Sequence, residues 1–482
     1  MIMAHKVYLF NTLSRKKELF TPLNEDITTV YTCGQTVYED VHVGNAKTYA
    51  VWDLLVRTLR HLGFDVKHVQ NFTDVGHLTD DADAGEDKII KKAKSLNTHP
   101  MELVDSQIEE YYEVMDEIKI QRPQIAPRAT GHLIEMIDVI QNLIENEHAY
   151  EIDGSVYFDV STFPSYGDLA KLDLDNLLVG VREDVKIISE KRNPADFALW
   201  IKAPPEHIMK YTSPWGIGYP GWHIECSAMA MKYLGETIDI HGGGIDHIPV
   251  HHTNEIAQSE GATKKKFVNY WLHSEFITIN GDKMSKSKGN FVTLRQLIDE
   301  IGAGSTKYSL ISNHYRTQAD FSMKQAKSNK KRYNKILRVY HLSQQLLHYN
   351  TDYANVSDES TEFLTKFNEA LADDLNTPKA FAQLNALVSK MDILRKEQNT
   401  AQLSNFMNTL DIMINVFGLP FYKLSHDEIE ETQSIVNFRL SLREKGDFEG
   451  SDLIRKHLNF NGYTLEDQSE TETLWYKPNF KN

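Results

Sequence analysis

Between residues 28 and 72 the chain spells out a strand, a helix and a second strand. Residues 28–33 and 66–72 are short, β-branched and aromatic runs, and residues 46–62 between them carry apolar side chains at helical spacing. A further strand-like run lies at 6–13. Strands that alternate with helices pair in parallel, so this opening commits the chain to an α/β fold, a Rossmann-type doubly wound sheet with helices on both faces. Any chemistry then belongs at strand ends.

Two strings sit at such ends. His42-Val43-Gly44-Asn45 follows the 28–33 run and opens the helix-like one, and Lys283-Met284-Ser285-Lys286-Ser287 follows another strand-like run between Gly281 and Gly289. The first sets an imidazole and a carboxamide beside a glycine that lets backbone approach a polyphosphate. The second sets two lysines and two hydroxyls on one loop. Each string alone is weak evidence, but in this order and setting they read as an ATP clamp and resemble the HIGH and KMSKS signatures of class I aminoacyl-tRNA synthetases.

The cysteines point to the substrate. Only two occur, inside Tyr31-Thr32-Cys33-Gly34-Gln35 and Gly221-Trp222-His223-Ile224-Glu225-Cys226-Ser227. Lone thiols are usually small buried hydrophobes. Against that stands His251-His252-Thr253-Asn254-Glu255, where His251 and Glu255 are four apart and share a helix face, so that two thiolates, an imidazole and a carboxylate make a zinc set. Here the resemblance narrows. YTCGQTVYEDVHVGN, KRNPADFALW, SPWGIGYPGWHIECSAM, DIHGGGIDHIPVHHTNEIAQSE, DKMSKSKGN and DDLNTP follow one another as in the cysteinyl-tRNA synthetase family, which the chain resembles over essentially its whole length. The resemblance implies one zinc ion per chain on Cys33, Cys226, His251 and Glu255. It implies a cysteine pocket of Gly34, Thr73 and Trp222, and ATP contacts by His42, Gly44, Asn45, Gly243, Asp246, Lys283 and Lys286, with Mg2+ accompanying ATP. It further implies activation of L-cysteine, transfer to tRNA(Cys), and a monomer.

Three departures from the family pattern stand out. Gln35 replaces a proline and Glu39 an aspartate, which frees a φ angle beside Cys33. The first signature ends in Asn45, whose amide bonds phosphate without carrying charge. The compact NITDIDDKII becomes Asn71-Phe72-Thr73-Asp74-Val75, an acidic insert from Gly76 to Glu86, and Asp87-Lys88-Ile89-Ile90. The insert fails the EF-hand template, because a loop with Gly85 sixth has alanines third and fifth and Lys91 twelfth, so it reads as a solvated loop.

With 482 residues, 41% apolar and 25% charged, the chain has material for about three globular domains. No apolar run is long enough for a membrane span and the start lacks a signal-peptide core, so the expectation is a cytoplasmic protein with no membrane partner. A net charge of −16 argues against nonspecific coating of nucleic acid, though not against a local RNA patch. Lys324, Lys327, Lys331, Lys335 and Arg338 line one helix face and offer such a patch. The division read from the sequence is a catalytic domain in two halves, 1–112 and 201–315, around a connective insertion at 113–200. A helical bundle at 316–424 and a small α+β anticodon-binding tail at 425–482 follow. The sheet is expected to resume through Trp200 and Asp239-Ile240. Asn376-Thr377-Pro378 starts a helix, and 350–360 and 426–432 read as connections. In the tail, a helix pair broken at Lys445-Gly446-Asp447 precedes a hairpin whose Trp475 and Tyr476 are either base-stacking or packing residues.

Overall fold

Four parallel strands form the central sheet: β1 (Thr28–Thr36), β2 (Val66–Thr73), β3 (Ile238–Gly244) and β4 (Val268–Ser274), in the order β4-β3-β1-β2. The computed structural model describes residues 6–78, 86–172, 191–279, 281–283, 291–349 and 358–478. From β1 the chain crosses through helix α1 (Val43–His61) to β2 on one side, and much later reaches β3 on the other. The border between β1 and β3 is therefore a topological switch point, where the carboxyl ends of strands in such sheets leave a crevice for ligands. Val30, Tyr31, Val69, Ile238, Ile240 and Leu272 are fully buried, as parallel strands covered on both faces require. Glycine sets the spacing between layers: a Cβ at Gly242 would stand 3.0 Å from the Trp52 ring of α1.

Two strand assignments differ from the sequence reading. The 6–13 run supplies Tyr8–Asn11, which pairs antiparallel with Lys16–Leu19 instead of joining the parallel sheet. Asn11 ties this ribbon to the β4 edge, accepting from Trp271 N at 3.1 Å and donating to Asn269 O at 2.9 Å. Trp200 lies in a separate antiparallel sheet, Ala149–Ile152, Ser155–Phe158, Phe197–Lys202, Gly216–Pro220 and Tyr211–Ser213 in that order, where it pairs with Val156 and Pro220. An apolar run announces a strand but not its sheet. The insertion's sheet thus runs on to Pro220, and helix α2 (Trp222–Leu234) leads from it back to β3. Asp239 and Ile240 do lie in β3.

The rest is mainly helical, apart from a small sheet of Ile277–Ile279, Asp282–Lys283 and Ala319–Phe321 and a hairpin in the tail. Helix α3 (Thr253–Thr263) packs beside α2, and further on α4 (Met323–His348) leads into Thr361–Ala372, Thr377–Lys396 and Thr400–Phe417. Asn376 caps Thr377–Lys396 as predicted, accepting from Lys379 N at 3.3 Å with Pro378 in the first turn. The tail has its helix pair, His426–Glu444 and Phe448–Phe460, and its hairpin, Thr464–Asp467 against Thr473–Tyr476. Residues 426–432 are not a connection. Ser425 caps that helix and Asp427 and Glu428 fill its first turn, so the polar stretch is a helix start whose acids face the positive end of the dipole. Of the other expected connection, 350–357 lies outside the described residues.

The basic stripe forms on α4 with Lys324, Lys327, Lys331 and Lys335 exposed, but Arg338 is turned inward. Its guanidinium holds Glu466 of the tail hairpin at 2.9 and 2.7 Å and so fastens tail to bundle. Trp475 is fully buried and donates from Nε1 to Gln433 at 2.9 Å, which makes it a packing residue and excludes it as a base platform; Tyr476 is half-buried.

Candidate functional site

The pairing of β1 with β2 slips between Thr32 and Gln35, and this bulge sets Cys33 and Gly34 at the crevice. Only glycine fits at 34, since a Cβ there would fall 1.6 Å from Asn71 O; its N–H donates to Asn71 Oδ1 at 3.0 Å. The angle freed at Gln35 is restrained by its side chain, which accepts from Tyr49 Oη at 2.8 Å and donates to Glu39 O at 3.3 Å. Across the crevice α2 brings Cys226, and a π-helical turn, Ile248–His252, leads into α3 and brings His251 beside Glu255. One donor atom from each of Cys33, Cys226, His251 and Glu255 lies within 4.8 Å of every other, and His251 Nε2 stands 3.1 Å from Glu255 Oε1. All four residues are buried.

A layer of imidazoles backs these donors. His241 Nε2 is 2.8 Å from Glu255 Oε2 and His252 Nε2 is 3.3 Å from Cys33 Sγ; His252 Nδ1 meets His273 Nε2 at 2.7 Å, and His273 Nδ1 meets Thr12 Oγ1 at 2.8 Å. Cys33, His241, His252 and Glu255 form a second donor group of metal-binding size that shares two members with the first. The first opens onto the cleft through Cys33, Cys226 and His251, whereas the second reaches it only through the shared Cys33, His241 and His252 being fully buried behind. A ligand set needs both thiols and the imidazole deprotonated, so binding of a divalent cation here would release protons. A hydrogen bond from Cys33 lowers the Cys226 thiol to about 6, whereas burial and Cys226 push Cys33 well above the usual thiol range. Although burial opposes both charges, Cys226 and Glu255 lift His251 to about 10, and His241 and His251 hold Glu255 at about 2. A divalent cation that displaces the His251 and Cys33 protons would be held by two thiolates, an imidazole and a carboxylate.

The cleft above has a volume of about 230 Å³. Thr73, at the end of β2, lines it and donates to Glu225 Oε2 at 2.9 Å. Trp222 lines it too, stacked on His77 at 4.0 Å and 12°. His77 Nδ1 is 2.9 Å from Thr36 Oγ1, and its Nε2 is 2.8 Å from Lys88 Nζ. The insert therefore does not begin as a solvated loop: His77 is buried in the wall and Leu78 in the core behind it. At its far end Glu86 is exposed and pairs with Lys94 at 2.8 Å; the acids Asp80, Asp81 and Asp83 lie outside the described residues.

At the mouth, His42 caps α1 by accepting at Nδ1 from Gly44 N at 3.1 Å and Asn45 N at 3.3 Å. An Nδ1 that accepts carries no proton, so the neutral ring holds its proton on Nε2 as a donor. The two signature regions touch through backbone, Val43 N donating to Val292 O at 3.1 Å and Leu294 N to Val41 O at 2.7 Å. Asn45 and Asp246 both line the cleft, Asp246 following the β3 glycines. Gly243 does not reach it: the residue is buried, and a Cβ there would meet His252 and His247 at 2.5 and 2.8 Å, so this glycine serves close packing. Gly44 contributes its amide to His42, behind the cleft. Lys283 ends the short strand Asp282–Lys283, its side chain outside the description, and Lys286 lies outside the described residues.

Sequence reasoning missed His77, which lines the cleft, and Glu225, which holds Thr73 from beneath. Glu225 is fully buried beneath Thr73, and burial and Cys226 push its carboxyl well above the usual carboxylate range. Its signal was available, an acid within the apolar-rich Trp222–Leu234 helix. His77 had none, since only folding brings it to Trp222.

Residues 19–331 match the model of the tRNA synthetases class I (C) catalytic domain, and residues 366–422 match the DALR domain. The chain is 43% identical to a cysteine–tRNA ligase of Treponema denticola, over 97% of this chain and 99% of that protein. It is 40% identical to one of Thermus thermophilus, over 96% and 98% respectively. Among solved structures, a Mycobacterium tuberculosis methionyl-tRNA synthetase in complex with methionyl-adenylate superposes with a TM-score of 0.56 at 15% identity, covering 81% of this chain and 89% of that one, a likeness of fold alone.

Proposed function

Because this chain belongs to the cysteine–tRNA ligase family of the class I tRNA synthetases, we propose that it activates L-cysteine with ATP and transfers it to the 3′ end of tRNA(Cys). The observation that carries this reading is a buried S, S, N, O donor set opening onto the same cleft as a helix start of the HVGN type. Held by Cys33, Cys226, His251 and Glu255, a zinc ion would supply a soft position that takes the substrate sulfur as thiolate and rejects the harder, less acidic hydroxyl of serine.

The chain's own residues do the rest. Gly34, Thr73 and Trp222 wall the amino acid, and His77 holds the Trp222 ring by stacking. His42 donates from Nε2 to phosphate oxygen, Asn45 adds an amide donor, and Asp246 accepts from the ribose. Lys283 and Lys286 stabilise charge that grows on the phosphates as the cysteine carboxylate attacks the α-phosphorus and pyrophosphate leaves. ATP enters as its magnesium complex, which neutralises the leaving group. The tRNA 3′-terminal hydroxyl then attacks the carbonyl of the adenylate and AMP departs. We assign the tRNA body to the exposed lysines of α4 and the anticodon to the 425–482 tail. Among the described residues no helix is long and apolar enough to cross a membrane, and the reading places a monomer in the cytoplasm. The test is ATP–pyrophosphate exchange with purified protein. Exchange that requires cysteine, is not supported by serine, and is followed by charging of tRNA(Cys) is expected; exchange without cysteine dependence would refute the reading.

A further inference from the structure

Lys47 stands two residues past Asn45 on α1 and is 1% exposed, a position normally given to an apolar side chain. Its Nζ donates to Glu275 O at 2.7 Å and lies 3.5 Å from Thr317 O. These two carbonyls mark one place in the fold. Glu275 N donates to Tyr315 O at 2.9 Å, and from this corner the strands Ile277–Ile279 and Ala319–Phe321 depart side by side in parallel. Ile277–Ile279 pairs in turn with Asp282–Lys283, the strand that enters the second signature. On the outer side Asp320 Oδ1 accepts from Thr278 Oγ1 at 2.9 Å and from Gly281 N at 2.8 Å, where Gly281 turns with a φ of 80°.

Burying an ammonium costs free energy that a methylene chain of the same shape would not. Burial lowers Lys47 to about 8 while Glu275 pulls it up, so the group is still mainly charged at neutral pH. A charge kept at that cost, aimed at main-chain oxygens, secures backbone position rather than packing. We propose that Lys47 is a positioning residue for adenylate formation: its ammonium pins the base of the Lys283-bearing strands to the helix that carries His42 and Asn45. The pin makes the spacing between the two halves of the ATP clamp a property of one side chain, and Asp320 is a second tie on the same strands. It acts on phosphate chemistry and leaves the cysteine end alone, because no donor of the metal set touches it.

This inference rests on the ligase reading, and the experiment separates the two. Wild type, Lys47→Met, Lys47→Arg and Asp320→Ala are compared in cysteine-dependent ATP–pyrophosphate exchange, with zinc content and urea unfolding measured alongside. Loosening a reacting geometry by about an ångström costs on the order of 100-fold. Lys47→Met is therefore expected to lose at least about 10-fold in kcat, with KM for cysteine within about twofold of wild type and zinc unchanged, and Lys47→Arg, which can bond both carbonyls, to recover most of it. A Lys47→Met enzyme with full kcat, a loss confined to KM for cysteine, or no recovery in a folded Lys47→Arg enzyme would overturn the inference. Should Lys47→Met fail to fold, Asp320→Ala decides, since it removes the acceptor of the Thr278 and Gly281 bonds and loosens the same strands from an exposed site: undiminished kcat there overturns the inference, and a loss in kcat supports it. Wild type without cysteine-dependent exchange would instead remove the ligase reading, and this one with it.

Discussion

At the floor of the cleft Cys33, Cys226, His251 and Glu255 are buried and cross-bonded to a second layer of imidazoles, whereas at the mouth His42 and Asn45 are half-buried, Asp246 is exposed, and His42 is held by backbone amides. The two ends face different tasks. The floor must separate cysteine from serine, near-isosteres that an apolar pocket distinguishes only about 10- to 200-fold, so it needs donors whose protonation and geometry are set before substrate arrives. The mouth must admit a nucleotide and release pyrophosphate and AMP in every cycle. It places donors on a helix start and a strand end and leaves them open to solvent.

The comparison breaks first at the floor. Cys226→Ser, or removal of the ion by chelation, should lower cysteine-dependent exchange by more than about 1,000-fold, a loss of the size seen when a site is left without its specific polar partner, while ATP still binds by equilibrium dialysis. Retained preference for cysteine over serine in metal-free protein would make the floor ordinary wall. At the mouth, Lys286→Ala should slow adenylate formation about 100-fold, as loss of one donor to developing charge does, with zinc content unchanged. An unaltered single-turnover rate would remove the second signature from the clamp.

A third test reaches the floor from behind. His68 on β2 is buried against Thr32, the neighbour of Cys33, with its Nε2 2.8 Å from Thr32 Oγ1, and burial lowers it to about 4. A folded-state value below the unfolded value of about 6.5 means that the unfolded chain takes up the proton first, so stability is full above pH 6.5 and is lost as pH falls toward 4. Between pH 7 and pH 5 this one group should remove about 2 kcal/mol of unfolding free energy. Urea titrations of wild type and His68→Gln at both values test it, and an equal pH response in both proteins would clear His68. The smallest effect is expected beyond the mouth. Converting Asp80, Asp81, Asp83 and Glu86 together to Asn or Gln should alter exchange less than about threefold, as surface changes usually do. Loss of activity together with a bound divalent ion would place a functional site in the insert.

Much of this arrangement was legible before folding. The strand–helix–strand opening, the cap at Asn376, the break at Lys445-Gly446-Asp447 and the pairing of His251 with Glu255 follow from periodicity, capping chemistry and helix spacing, which act over a few residues. The same locality explains the errors. Residues 426–432 looked like a connection because low hydrophobicity is shared by loops and by helix starts rich in acids, and only the Ser425 cap tells them apart. The strand around Trp200 was legible as a strand, yet its neighbours Val156 and Pro220 come from segments whose pairing no local pattern states.

By itself the sequence determined the kind of sheet, the order of the motifs along it and the shared helix face of His251 and Glu255, since each is written in residue type and short spacing. Tertiary structure alone decided that a bulge sets Cys33 and Gly34 at the crevice, and that Gly243 packs against His252 and His247 instead of facing it. It also decided that His77 leaves an acidic insert to stack on Trp222, 145 positions away in the sequence (222 − 77), and that Lys47 fastens one signature region to strands more than 200 positions further on. Such contacts form where packing, burial and hydrogen-bond satisfaction are solved together for the whole chain, and a residue's neighbours in sequence carry no record of that solution.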